Sequence, residues 1–267
     1  MQYTKKQERE IELGKESGID VSFYSDSSLS PIEMKLRRLY LEYGIELPNT
    51  KKMNTQCLNL IENVLKKDMD VNVEKYFENL EYNSDQIKQV LLGLEKGVDV
   101  SIYESPKYDV TQMEEIRLGL EKGLDVLVYA NLDFTAYQME EIRLGLKEEL
   151  DVSIYADPKF NNNQMDEIRL GLLNKLDVSI YAHTYFDFSQ MRAIRLGLKD
   201  GLDVSIYANP KFDNNQMIQI RFGLEEGLDV SIYAKPEYGW RRMGEIRFRL
   251  EEDLYLTTVL YSSQNET

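Results

Sequence analysis

Apolar and polar positions recur along most of this chain with a period of 26 residues. The strings QMEEIRLGLEKGLDV at Gln112, QMEEIRLGLKEELDV at Gln138, QMDEIRLGLLNKLDV at Gln164, QMRAIRLGLKDGLDV at Gln190 and QMIQIRFGLEEGLDV at Gln216 share one register. Within each, the apolar positions follow helical spacing. Met165, Ile168 and Leu172 fall on one face at about 100° per residue. The pattern predicts a helix of about thirteen residues that ends at a glycine such as Gly123, Gly201 or Gly227, because glycine suits the left-handed residue after a helix. Glu149 and Lys175 replace that glycine in two copies, at a cost of about 1 kcal/mol if their backbone is left-handed.

The register runs back to Gln86 and to Gln7, and forward to Arg242. Two degenerate copies lie between, at Glu33 and Cys57, spaced by 24 and then 29 residues, so irregularities are expected near 48–56 and 74–83. Repeats then start near 4, 30, 54, 83, 109, 135, 161, 187, 213 and 239, with 30–82 degenerate and 239–267 a C-terminal cap. A fixed period of this length is the signature of a solenoid. The expected fold is all-α: one elongated α-solenoid of about ten repeats over 1–267, each with a long and a short helix. Such a chain has no room for a separate catalytic domain.

Each long helix opens with an apolar residue, a capping residue and a Gln three places later, as in Phe160-Asn161-x-x-Gln164, Phe186-Asp187-x-x-Gln190 and Tyr3-Thr4-x-x-Gln7. This is a capping box flanked by a hydrophobic staple. Leu29-Ser30-Pro31-x-Glu33 obeys the same grammar, with Pro31 at the first helical position. The repeated Gln therefore has a structural explanation.

After the break comes Leu-Asp-Val-Ser-Ile-Tyr. Asp125, Asp151, Asp177, Asp203 and Asp229 stand where a second cap should stand, and Leu202 with Tyr207 has staple spacing. A following Pro158, Pro210 or Pro236 keeps this second helix short. The alternative is a strand, since VSIYA residues favour strands, which would give a parallel β-solenoid. The cap and the leucine before it favour the helix.

Glycine costs about 1 kcal/mol inside a helix, yet it recurs at Gly119, Gly145, Gly171, Gly197 and Gly223. Stacking of parallel helices supplies a reason: the Leu170 flank of one long helix would press on the bare glycine flank of the next. The remaining face carries Glu115, Glu141 and Glu167 with Glu148, Asn174 and Asp200, and is expected to face solvent.

This plan resembles short-period α-solenoids such as the leucine-rich variant repeats. The repeat type, seen as IRLGLEKGLDVLVYA at Ile116 and IRLGLKDGLDVSIYA at Ile194, is similar to an uncharacterised repeat of Firmicutes and their phages and mobile elements. The resemblance spans nearly all of the chain. It implies a fold and a genomic setting, and brings no catalytic residues.

The formal charge of −15 repels nucleic acid and attracts basic partners. Cys57 is the only cysteine, which excludes an intrachain disulfide and a Cys-rich metal site and fits a reducing cytoplasm. The opening MQYTKKQERE has no apolar run and does not read as a secretory signal. No stretch approaches the roughly 18 apolar residues of a membrane span, and the tail SSQNET is expected to fray. His183, the sole histidine, sits at a variable loop position held by Asn131, Asp157, Asn209 or Lys235 elsewhere. Carboxylates recur in ladders, which makes their environments alike, whereas a catalytic pair needs distinct ones. No enzyme, cofactor or metal chemistry is expected.

Two other ladders stand out, Arg117 to Arg247 and Tyr103 to Tyr233, one of each per repeat. Together they could track phosphates and stack bases, and a repeat-based nucleic-acid reader is the alternative function. The structural reading places the tyrosines in the core and pairs each Arg with the cap Asp or a neighbouring Glu. The leading expectation is a non-catalytic scaffold binding a protein partner with a basic surface. Given the genomic setting implied by the resemblance, that partner could be a nucleic-acid-handling defence protein, inhibited by phosphate mimicry. Candidate contact residues are the acidic row Glu115, Glu141 and Glu167, the variable row Glu114, Glu140, Asp166, Arg192, Ile218 and Gly244, and the cluster Trp240, Arg241 and Arg242. An apolar Ile218 in a row of charges suggests a contact, and Trp and Arg favour interface centres.

Overall fold

The computed structural model describes residues 2–44, 55–67, 73, 75, 76 and 81–264. The expected irregularities at 48–56 and 74–83 fall mostly outside them. Among the described residues there are ten α-helices and no strand. They are α1 Lys5–Glu16, α2 Pro31–Glu42, α3 Thr55–Lys67, α4 Ser84–Lys96, α5 Val110–Glu121, α6 Ala136–Lys147, α7 Asn162–Leu173, α8 Phe188–Lys199, α9 Asn214–Glu225 and α10 Trp240–Gln264. Contacts group the chain into two units, Met1–Met139 and Glu140–Thr267. In the first, α1 packs on α2, α2 on α3, α3 on α4 and α4 on α5. In the second, α7 packs on α8, α8 on α9 and α9 on α10. This serial stacking is that of an α-solenoid, in which each repeat is stabilised chiefly by its neighbours.

The helices begin where the capping pattern places them. Thr4, Ser30, Asn83, Asp109, Asn161, Asp187 and Asp213 each close a full capping box with the residue three places on. They end in left-handed residues: Gly97, Gly123, Gly201 and Gly227 have φ of 68–74°, and Glu149 and Lys175 adopt the same conformation at 58° and 57°. α10 meets no such break and runs for 25 residues.

In seven repeats among the described residues the second element is a helix at its minimum, one 3₁₀ turn such as Val178–Ile180 or Val204–Ile206. Asp177 caps it by accepting from the Ser179 N–H at 3.1 Å. The Val178 carbonyl takes the N–H groups of both Tyr181 and Ala182. These local bonds leave no ladder for a strand, which rules out the β-solenoid. Tyr181 then leaves helical geometry at φ −132°.

The core repeats with the sequence. Met165, Ile168 and Tyr181 are fully buried, with Val178 and Phe186 nearly so, and their counterparts follow in other copies. Each such side chain contributes about 1.5–3 kcal/mol of burial free energy, opposed by the entropy of ordering the chain. Leu172, expected in this layer, is half-buried.

The helical glycines have a different role from the expected one. What lies against Gly171 is Tyr181 and Val178 of its own repeat, not a leucine of the neighbouring long helix. The Tyr181 hydroxyl donates to the Glu167 carbonyl at 3.0 Å, and a Cβ on Gly171 would come within 1.9 Å of that oxygen. The same lock joins Gly14 to Tyr24, Gly93 to Tyr103, Gly119 to Tyr129, Gly197 to Tyr207 and Gly223 to Tyr233.

Candidate functional surfaces

Each recurrent polar side chain has a structural bond. The capping-box Gln uses both ends of its amide. Gln164 Oε1 accepts from its own cap, the Asn161 N–H, at 2.8 Å, and Nε2 donates to the Phe186 carbonyl before the next helix at 2.7 Å. Gln7, Gln86, Gln112, Gln190 and Gln216 reach the next repeat in the same way.

The arginine ladder forms the second joint. From Nε, five arginines donate to the residue three places after the capping-box position of the preceding repeat: Arg38 to Glu10 at 3.0 Å, Arg117 to Gln89 at 2.9 Å, Arg169 to Glu141 at 2.8 Å, Arg195 to Glu167 at 2.6 Å and Arg247 to Gln219 at 3.2 Å. Arg169 also reaches Glu148 at 3.1 Å and Asp166 at 2.7 Å. Burial alone would lower the Arg169 pKa, but the bonds to Glu141 and Glu148 outweigh it and hold the guanidinium above its usual range. Burial likewise pushes the Glu141 carboxyl up, against the pull of Arg169.

These joints correct the expected acidic face. Glu167 is only 6% exposed and Glu141 is half-buried, both tied to arginines. Glu115 is half-buried too, and its carbonyl accepts from Tyr129. The physical reason is rotation of the helix: the position after Asp166 turns toward the next repeat rather than toward solvent. Exposed carboxylates recur at the caps of the 3₁₀ turns, Asp20, Asp99 and Asp125 in the first unit and Asp151, Asp177, Asp203 and Asp229 in the second.

The variable row is divided. Glu114, Glu140 and Asp166 are half-buried, with Glu114 and Asp166 beside the arginines of their own helices. Gly244 is buried, and a Cβ there would meet the Gln219 side chain at 3.1 Å. Arg192 is exposed and Ile218 half-buried, and the two line one pocket of about 260 Å³ with Ala193 and Arg221. Trp240 opens α10 and is 43% exposed. Arg241 lies over the Trp240 ring at 5.3 Å and Arg242 over the Tyr238 ring at 4.1 Å. Ala193 was legible in the sequence: its column reads Gln89, Glu115, Glu141, Glu167, Ala193, Gln219, with one interruption.

His183 is exposed and stacks on Tyr185 at 4.9 Å. Cys57 is buried, its Sγ 3.8 Å from the Ser84 carbonyl. Among the described residues no group of three or more His, Cys, Asp or Glu is placed to hold a metal, and no helix is long and apolar enough to cross a membrane. Comparison of the chain with protein-family models, with curated proteins and with solved structures finds no match.

Proposed function

We infer that the chain is a non-catalytic repeat scaffold that binds a protein partner carrying a basic surface. The observation that carries this reading is the exposed aspartate of each 3₁₀ turn, repeated as Asp151, Asp177, Asp203 and Asp229 in the second unit. It sits on a chain of charge −15. Carboxylates set one per repeat on a rigid frame suit a surface that otherwise meets phosphates, so the partner class is a nucleic-acid-handling protein, and the outcome of binding is its inhibition. Electrostatic complementarity of this kind acts mainly on the association rate. The alternative, a nucleic-acid reader built on the Arg and Tyr ladders, is weakened because those tyrosines are buried and most of those arginines are spent on joints between repeats.

The test combines Asp151→Asn, Asp177→Asn, Asp203→Asn and Asp229→Asn in one variant. Asparagine caps a helix about as well as aspartate, so the fold should be kept while four charges are removed. Affinity capture from the source organism's lysate should retain a basic protein on the wild type, less of it at higher salt, and none on the variant. Equal retention by the variant would overturn the assignment to this row. Tight binding of single- or double-stranded oligonucleotides by the wild type would promote the alternative.

A further inference from the structure

Among the joints described, the arginine ladder breaks at Arg221. Arg221 should donate from Nε to the residue equivalent to Glu141 and Glu167, but that residue is Ala193. The Arg221 Nε is buried and has no hydrogen-bond partner. A buried donor left without an acceptor loses its hydration with nothing in return. A second carboxylate is missing as well. Asp166, which answers Nη2 of Arg169, is replaced beside Arg221 by Ile218. The space so vacated is the pocket of about 260 Å³ walled by Ala193, Leu196, Ile218, Phe222 and Arg221. Phe188 and Arg192 stand on its wall as well, and both are exposed.

We propose that this pocket is a binding site for a carboxylate carried on an aliphatic or aromatic body, the carboxylate taking the place that Glu141 and Glu167 occupy at the intact joints. Charge allows it. Arg169 accommodates three carboxylates, Glu141, Glu148 and Asp166, whereas Arg221 meets only Asp200 and Glu225. A third anion there restores the arrangement already present two repeats earlier, and Arg192 adds a cation where the three preceding repeats carry Glu114, Glu140 and Asp166. The apolar requirement follows from the two substitutions themselves, Ala193 and Ile218, with the Phe222 ring 5.0 Å from the Arg221 guanidinium. The volume lies below the range of about 300–1,000 Å³ typical of drug-sized ligands, which limits the occupant to a small organic acid or one acidic side chain with an apolar neighbour. Charge-assisted bonds of this type are about twice as strong as neutral ones. The site uses none of the exposed aspartates, so its failure would leave the scaffold reading standing.

Two probes separate the sources of the carboxylate: 3-phenylpropionate as a free acid, and the end-blocked tripeptide acetyl-Leu-Glu-Leu-amide as a side chain. Binding is followed by NMR shifts of the methyl groups of Ile218 and Ala193. At least one probe should bind about tenfold better than its uncharged amide counterpart, 3-phenylpropionamide or the Gln tripeptide. Ala193→Glu should supply the carboxylate from within the chain: helicity is kept, thermal stability rises, and probe binding falls by at least about tenfold. Ala193→Gln, which copies the intact joints at Gln89 and Gln219, serves as a second filled variant should the first fold poorly. Binding of the tripeptide alone would assign the pocket to a partner's side chain, and binding of the free acid alone to a metabolite-sized ligand. Equal binding of acid and amide, no binding of either probe at about 10 mM, or wild-type binding by a folded Ala193→Glu or Ala193→Gln variant would overturn the proposal.

Discussion

The Tyr181 hydroxyl occupies the space of the side chain that Gly171 lacks, bonded at 3.0 Å to the Glu167 carbonyl on the helix surface. Any Cβ at residue 171 would stand 1.9 Å from that oxygen and 2.7 Å from a Val178 methyl. Gly171→Ala should therefore destabilise the second unit by about 2–4 kcal/mol, the sum of overpacking and a lost buried bond. Tyr181→Phe alone should cost about 1 kcal/mol. Combined, the two should cost less than their sum, because removing the hydroxyl relieves the clash. Urea unfolding of the double-mutant cycle measures this coupling, and strict additivity would show that the glycine serves something else.

The pair Glu167 and Arg195 is buried on both sides at 2.6 Å. Removing one partner strands a buried charge, so Glu167→Ala should cost about 3–5 kcal/mol. Glu167→Gln should cost less than about 1 kcal/mol, because a neutral acceptor retains the hydrogen bond, as Gln89 does for Arg117 and Gln219 for Arg247. Equal losses for Ala and Gln in denaturant titrations would mean that charge, rather than the bond, holds the joint.

Glu149 and Lys175 are non-glycine residues in the left-handed region, and both are exposed. Lys175→Gly and Glu149→Gly should each raise stability by about 1 kcal/mol, the reverse of the usual penalty for glycine. A calorimetric melting temperature that falls in either variant would contradict the strain.

Burial pushes the hydroxyls of Tyr103, Tyr155, Tyr181 and Tyr207 well above the usual tyrosine range, and that of Tyr233 up to about 12. The folded pKa is the higher one, so their contribution is complete below about pH 10, where unfolded tyrosine ionises. It is lost as pH rises beyond that, by up to about 1.4 kcal/mol per pH unit for each tyrosine. Phenolate absorbance should thus appear together with loss of helicity in an alkaline titration. Full tyrosine ionisation with the circular dichroism unchanged would show that these rings reach solvent.

What could be read from the chain is what neighbours in sequence decide. The period of 26, the capping boxes at Asn161 or Asp187, the left-handed stops at Gly201 and Lys175, and the buried stripe of Met165 and Ile168 all rest on bonds or packing within a turn or two. Those alone were enough for an all-α serial stack. Gly171 meets Tyr181 ten residues on, and Glu167 meets Arg195 and Ala193 meets Arg221 across 28 residues, and which of them meet depends on how far each helix is rotated against the next. A wheel diagram sets Glu167 with Asn174 on one polar face, and it took the neighbouring helix to show that Glu167 faces Arg195. The pocket at Arg221 follows from the same geometry. The alanine at 193 is visible in the repeat alignment, but only the pairing of that column with the arginine of the next repeat turns a small residue into a buried donor without an acceptor.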